Sequence, residues 1–104
     1  SDDILLVACG EMGRTPKLNA RGGRDHWGGI APLLIAGGGL KMGQVIGESN
    51  RDASRPAADP ITNKDLVATI LHSLFNVEEL RVTQGIPAEL VDLTSSGKPI
   101  RELF

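Results

Sequence analysis

Hydrophobic residues enter the chain almost at once, as the unbroken run Ile4-Leu5-Leu6-Val7-Ala8-Cys9 that Gly10 stops. A run without alternation predicts a strand covered on both faces, as in a parallel α/β sheet. Residues 10–29 then turn polar and glycine-rich, which predicts a long loop, and ordered loops of that length usually carry function. Ile30 to Ala36 reads as a second short apolar strand closed by Gly37-Gly38-Gly39, and Gln44-Val45-Ile46 as a third, very short one ending at Gly47. Residues 48–60 form a polar stretch expected at the surface.

The clearest element is a helix. Thr62-Asn63-Lys64-Asp65 has the form of a capping box with Asp in place of the usual Glu. Leu66, Val67, Ile70, Leu71 and Leu74 follow at helical spacing, so a helix is predicted from about Asn63 to Phe75. Residues 78–84 add a further helical turn, Gly85-Ile86-Pro87 breaks the chain, and Ser96-Gly97-Lys98-Pro99 is a turn.

Composition changes this picture in one respect. Trp27, Phe75 and Phe104 are the only aromatics among 104 residues, and 13 are glycine, so the core rests on Leu, Ile and Val. A chain of this length buries roughly two-thirds of its unfolded surface, and a glycine-rich, aromatic-poor one less. We therefore expect a single segment, residues 1–104, that belongs to a larger domain and shows an exposed apolar edge on Ile4–Cys9. An autonomous module would close its core instead.

Charge narrows the partners. The net charge is −2 with acids and bases mixed along the chain, so the basic face needed to displace counterions from a duplex is missing, and nucleic acid is not expected as a partner. No apolar stretch approaches the roughly 18 residues of a membrane span. Cys9 is the sole cysteine, which rules out an internal disulfide and a cysteine zinc cluster.

Two clusters carry candidate chemistry: Glu11, just past the first strand, and Arg24-Asp25-His26-Trp27, just before the second. Beyond the carboxyl end of a central parallel strand, Glu11 would sit where open α/β sheets bind ligands. Glu11, Asp25 and His26 are a fitting donor set for Zn²⁺, Mn²⁺ or Ca²⁺, while Arg14 and Arg24 could hold a phosphate or sulfate oxyanion bidentately. The plainer alternatives are a solvated Glu11 paired with Arg14 or Arg24, an Asp25-oriented surface imidazole at His26, and loop packing for Trp27. His72 lies opposite the Leu66/Ile70 stripe, which suits a solvated or capping role. Gly37-Gly38-Gly39-Leu40-Lys41-Met42-Gly43 lacks both phosphate-loop spacings, and a tight strand-ending turn explains it better. There is no Gly-x-Ser-x-Gly elbow.

The order of an apolar strand, Gly10-Glu11-Met12-Gly13-Arg14-Thr15-Pro16, Gly23-Arg24-Asp25-His26-Trp27 and Gly37-Gly38-Gly39-Leu40-Lys41-Met42-Gly43-Gln44-Val45-Ile46-Gly47 closely resembles the C-terminal part of the DUF1501 family. The helix Asp65-Leu66-Val67-Ala68-Thr69-Ile70-Leu71-His72 looks like the one that follows in that family, so the resemblance spans roughly residues 4–80. That family is placed in the alkaline phosphatase-like, sulfatase-like superfamily. The resemblance implies part of an α/β/α sandwich around a mostly parallel sheet, and divalent-metal-dependent hydrolysis of phosphate or sulfate esters.

By the same resemblance Glu11 falls at the Asp of a strand-end Asp-His metal pair, Met12 stands where its His would be, and His26 falls at a later metal-binding His. The nucleophile of such enzymes lies upstream, so this segment would supply metal ligands and oxyanion-binding arginines and be inactive alone. Its partners would be the remainder of its own domain and a small sulfate or phosphate ester. Family members often carry export signals, which implies a periplasmic or secreted parent. The alternative is a catalytically degenerate binding or structural module of the same fold.

Overall fold

The computed structural model describes residues 2–104. Strand β1 (Leu5–Cys9) leads into a two-residue strand β2 (Gly13–Arg14), which pairs with β3 (His26–Trp27), and the chain returns in β4 (Leu33–Gly37). Three helices follow, α1 (Asn63–Leu74), α2 (Val77–Val82) and α3 (Ala88–Leu93), with a closing 3-10 turn at Arg101–Leu103.

The sheet corrects the expected fold. β1 and β4 pair antiparallel, with Leu5 opposite Gly37 and Cys9 opposite Leu33, and β2 pairs antiparallel with β3. Among the described residues neither a parallel pair nor an α/β/α sandwich forms. The reason lies between the strands. A parallel neighbour needs a crossover of a dozen or more residues, usually a helix. Residues 10–32 hold no helix and fold back as the β2–β3 ribbon, so β4 returns antiparallel beside β1. The unbroken apolar run is therefore no guide to strand direction.

β4 also starts later than its apolar pattern suggests, after Pro32, which has no N–H to give a ladder. Residues 44–46 are not a strand. Val45 is 97% exposed, and the segment is tied down instead by Gln44 Nε2, which donates to the carbonyls of Glu102 (2.7 Å) and Lys41 (3.0 Å). Gly37, Gly38 and Gly39 all take positive φ, between 65° and 81°, and close the strand as a tight turn.

The helical half forms as its local signals require. Thr62 caps α1: its side chain accepts from the Asp65 N–H at 3.3 Å, and Asp65 Oδ2 accepts from the Thr62 N–H at 2.9 Å. Asp65 Oδ1 also accepts from the Lys98 N–H at 2.9 Å, which brings the tail back onto the start of α1. The approach is close enough to require a glycine, since a Cβ on Gly97 would lie 2.3 Å from the Lys64 carbonyl. One turn on, Thr69 Oγ1 donates to the Asp65 carbonyl and accepts from the Ile100 N–H at 2.9 Å. Ala68, Leu71, Val77, Leu80, Ile100 and Leu103 bury around these contacts. His72, half-buried, stands 3.2 Å from the Thr94 carbonyl through Nε2, a contact between α1 and the end of α3.

The strand half has no comparable core. Leu6, Ala8, Leu34 and Ala36 share one face of the β1–β4 pair, and Leu6 and Leu34 are more than half exposed. The total surface is 7950 Å², against about 5,600 Å² for a closed monomer of this mass. The radius of gyration is 16.5 Å, where about 13 Å is ordinary for 100 residues. No described helix is long and apolar enough to cross a membrane.

Candidate functional site

The β2–β3 ribbon carries the candidate residues, and two contacts hold it in place. Gly13 is buried, and a Cβ there would lie 1.9 Å from the Ile30 carbonyl oxygen, so the chain crosses at a point only glycine fits. Trp27, opposite Gly13, donates from its indole Nε1 to the Ser54 carbonyl at 2.7 Å and so fastens the ribbon to the 48–57 loop. That loop is itself a closed turn. Ser49 bridges Pro56, and Asn50 Oδ1 accepts from the N–H groups of Ser54 (3.0 Å) and Arg55 (3.2 Å). Trp27 is thus the packing residue its loop position suggests.

Arg14 and His26 stand directly opposite each other in the ribbon. The Thr15 N–H donates to the Asp25 carbonyl at 2.9 Å, which makes Arg14–His26 the wide, non-hydrogen-bonded pair of the ladder, where facing side chains come closest. Both are exposed, and the His26 ring has no hydrogen-bond partner among the described residues. Arg14 Nη1 makes one long contact, 3.4 Å to the Arg24 carbonyl. Arg14 and His26 therefore share one face of the ribbon with most of their donors unengaged.

The other predicted residues are placed differently. Arg24 braces the loop, its Nη1 donating to the carbonyls of Thr15 (2.8 Å) and Pro16 (2.6 Å). Asp25 precedes His26 in an extended chain, so its side chain leaves on the opposite face. There its Oδ1 accepts from Asn19 Nδ2 at 3.1 Å. Glu11 lies in the bend between β1 and β2, exposed and without a side-chain partner among the described residues. No group of three or more His, Cys, Asp or Glu side chains gathers among the described residues. Glu11, Asp25 and His26 therefore do not gather into one cluster here.

Two contributors escape a reading of residue types. Asn19 organises the 19–25 turn, its Oδ1 accepting from the N–H groups of Arg21 (3.0 Å) and Gly23 (2.9 Å). The Asn50–Ser54 turn is the other. Asn followed two to four residues on by Asp, Ser or Gly is a local turn signal that could have found both.

The sequence model of a family described as "Protein of unknown function (DUF1501)" matches residues 1–104. No curated protein and no solved structure matches the chain.

Proposed function

The chain belongs to the DUF1501 family, and on that premise we propose that it supplies the oxyanion-binding ribbon of a metal-dependent phosphate- or sulfate-ester hydrolase of the alkaline phosphatase-like, sulfatase-like superfamily. The observation that carries this reading is the in-register Arg14–His26 pair. A guanidinium presents its donors in a planar fork that matches the oxygens of a sulfuryl or phosphoryl group, and a neighbouring imidazole N–H adds one more donor. The ladder holds the two backbones in register, so a group bound between Arg14 and His26 would meet donors from both strands as charge builds on it.

The exposed Leu6–Leu34 face supports a second part of the reading, that this segment works as part of a larger domain whose remaining residues cover it. Those residues would bring the nucleophile and complete any metal shell to which Glu11, Asp25 or His26 gives a single ligand. Arg24 serves here by holding the loop rather than the ester.

The test uses the protein that contains this segment, with 4-nitrophenyl sulfate and 4-nitrophenyl phosphate as substrates and Zn²⁺, Mn²⁺ or Ca²⁺ supplied. Arg14→Ala is expected to lower kcat/KM about ten- to a hundredfold, the loss of one charge-assisted contact. His26→Ala is expected to do likewise or to lower the bound metal by one equivalent. A natively folded protein that turns over neither ester and takes up no metal would refute the catalytic reading and leave a binding module.

A further inference from the structure

Behind the Arg14–His26 pair, on the opposite face of the ribbon, a groove of about 330 Å³ runs between the ribbon and the 48–57 loop, lined by Thr15, Pro16, Lys17, Trp27, Asp52 and Ser54. Its volume is at the lower end of small-molecule sites, about 300–1,000 Å³. What its walls can offer follows from which groups are already engaged. Thr15 Oγ1 donates to the Lys17 carbonyl and accepts from the Asp25 N–H. Ser54 Oγ donates to Asp52 Oδ1, and the indole N–H donates to the Ser54 carbonyl. There remain the Trp27 and Pro16 rings, the Asp52 carboxylate, which Asn50 and Ser54 also bond, and the Lys17 side chain, which has no hydrogen bond among the described residues.

These leftovers select a ligand. An anion would meet the Asp52 carboxylate, which the Ser54 hydroxyl and N–H hold below the usual carboxylate range and so keep charged. A cation would meet Lys17. A neutral ring with a C–H face and a hydroxyl edge satisfies all four: the face lies on the indole, one hydroxyl donates to Asp52, and its neighbour accepts from Lys17. We propose that this groove is a binding site for a single neutral pyranose ring, seated on Trp27 between Asp52 and Lys17. The site is independent of the ester-binding reading, since it uses the other face of the ribbon.

In the protein that contains this segment, the indole N–H peak assigned to Trp27 by its loss in Trp27→Phe reports on the groove wall. That ¹H–¹⁵N peak would be followed while methyl β-D-glucopyranoside, methyl β-D-galactopyranoside or methyl α-D-mannopyranoside is added to about 50 mM, well above the roughly 1 mM Kd of a weak single-ring site. A saturable shift with at least one of them is expected, weakened about fivefold or more in Lys17→Ala, whose side chain holds nothing else. Asp52→Ala is expected to abolish it. Should that variant disturb the 50–55 turn, the Lys17→Ala result decides. No saturable shift with any of the three, an unchanged shift in Lys17→Ala, or a saturable shift with tetramethylammonium in place of the pyranosides would overturn the proposal.

Discussion

Replacing Gly13 with alanine should open the ribbon, and Gly28, next to Trp27 on the facing strand, supplies the control. Gly13 does not adopt positive φ, so an alanine meets no backbone penalty there and its cost is steric alone. The added Cβ would lie 1.9 Å from the Ile30 carbonyl oxygen and 2.9 Å from that of Trp27. Ordinary contact is about 3.4 Å or more, so one backbone must move by about 1.5 Å, which close-packed interiors do not absorb. That displacement breaks the Gly13–Trp27 pair and with it the Thr15–Asp25 bond. At about 1 kcal/mol for each of two or three bonds, the ribbon loses about 2–3 kcal/mol. Hydrogen exchange reads this locally: the Trp27 indole proton and the Thr15 amide should exchange about 30- to 160-fold faster. Gly28→Ala, with open space and no positive φ, should stay within about 0.5 kcal/mol of the parent. Equal exchange in the two variants would refute the close crossing at Gly13.

Two further outcomes are expected. Hydrogen bonds from the N–H groups of Thr62 and Lys98 hold the Asp65 carboxyl below its usual range. Its contribution is therefore present at neutral pH and lost as pH falls below about 4, toward the depressed folded value; denaturant midpoints at pH 6 and pH 3 should differ more for the parent than for Asp65→Asn, and equal differences would remove Asp65 from the acid response. The Leu6–Leu34 face should bind anilinonaphthalene sulfonate, and Leu6→Lys with Leu34→Lys should cut that fluorescence by at least about half while helical circular dichroism is kept; an unchanged signal would place the dye elsewhere.

What the sequence makes legible divides at about residue 60. Every signal that defines α1 lies within four residues of its partner. Thr62 and Asp65 satisfy each other's N–H groups, and the apolar spacing then turns Ala68 and Leu71 inward, so the observed Asn63–Leu74 differs from expectation by one residue. The same locality exposes the Gly37–Gly39 turn and the break at 85–87. α3 escapes sequence patterning because Pro87 caps it without a side-chain bond, and its six residues bury none of their side chains. The strands fail for the converse reason. Direction, register and partner depend on where residue 33 returns, and nothing in Leu5–Cys9 encodes that. An apolar run states only that a strand is apolar; here much of it faces water.

The candidate site shows the same division at the scale of single side chains. Asp25 and His26 are neighbours in sequence, which makes them look like one donor set, but extended backbone sends neighbours to opposite faces. Arg14 and His26 are twelve residues apart, yet the ladder sets them face to face. Two consequences follow from that one geometric fact. The face bearing Arg14 and His26 has unengaged donors suited to an oxyanion. On the reverse, the Trp27 indole is bonded to Ser54, and the groove beside it is lined by one acid, Asp52, and one base, Lys17. A ribbon only two residues long on each strand thus separates two chemistries, and it can do so only while Gly13 lets the chain pass against Ile30 and Trp27 stays anchored to the 48–57 loop.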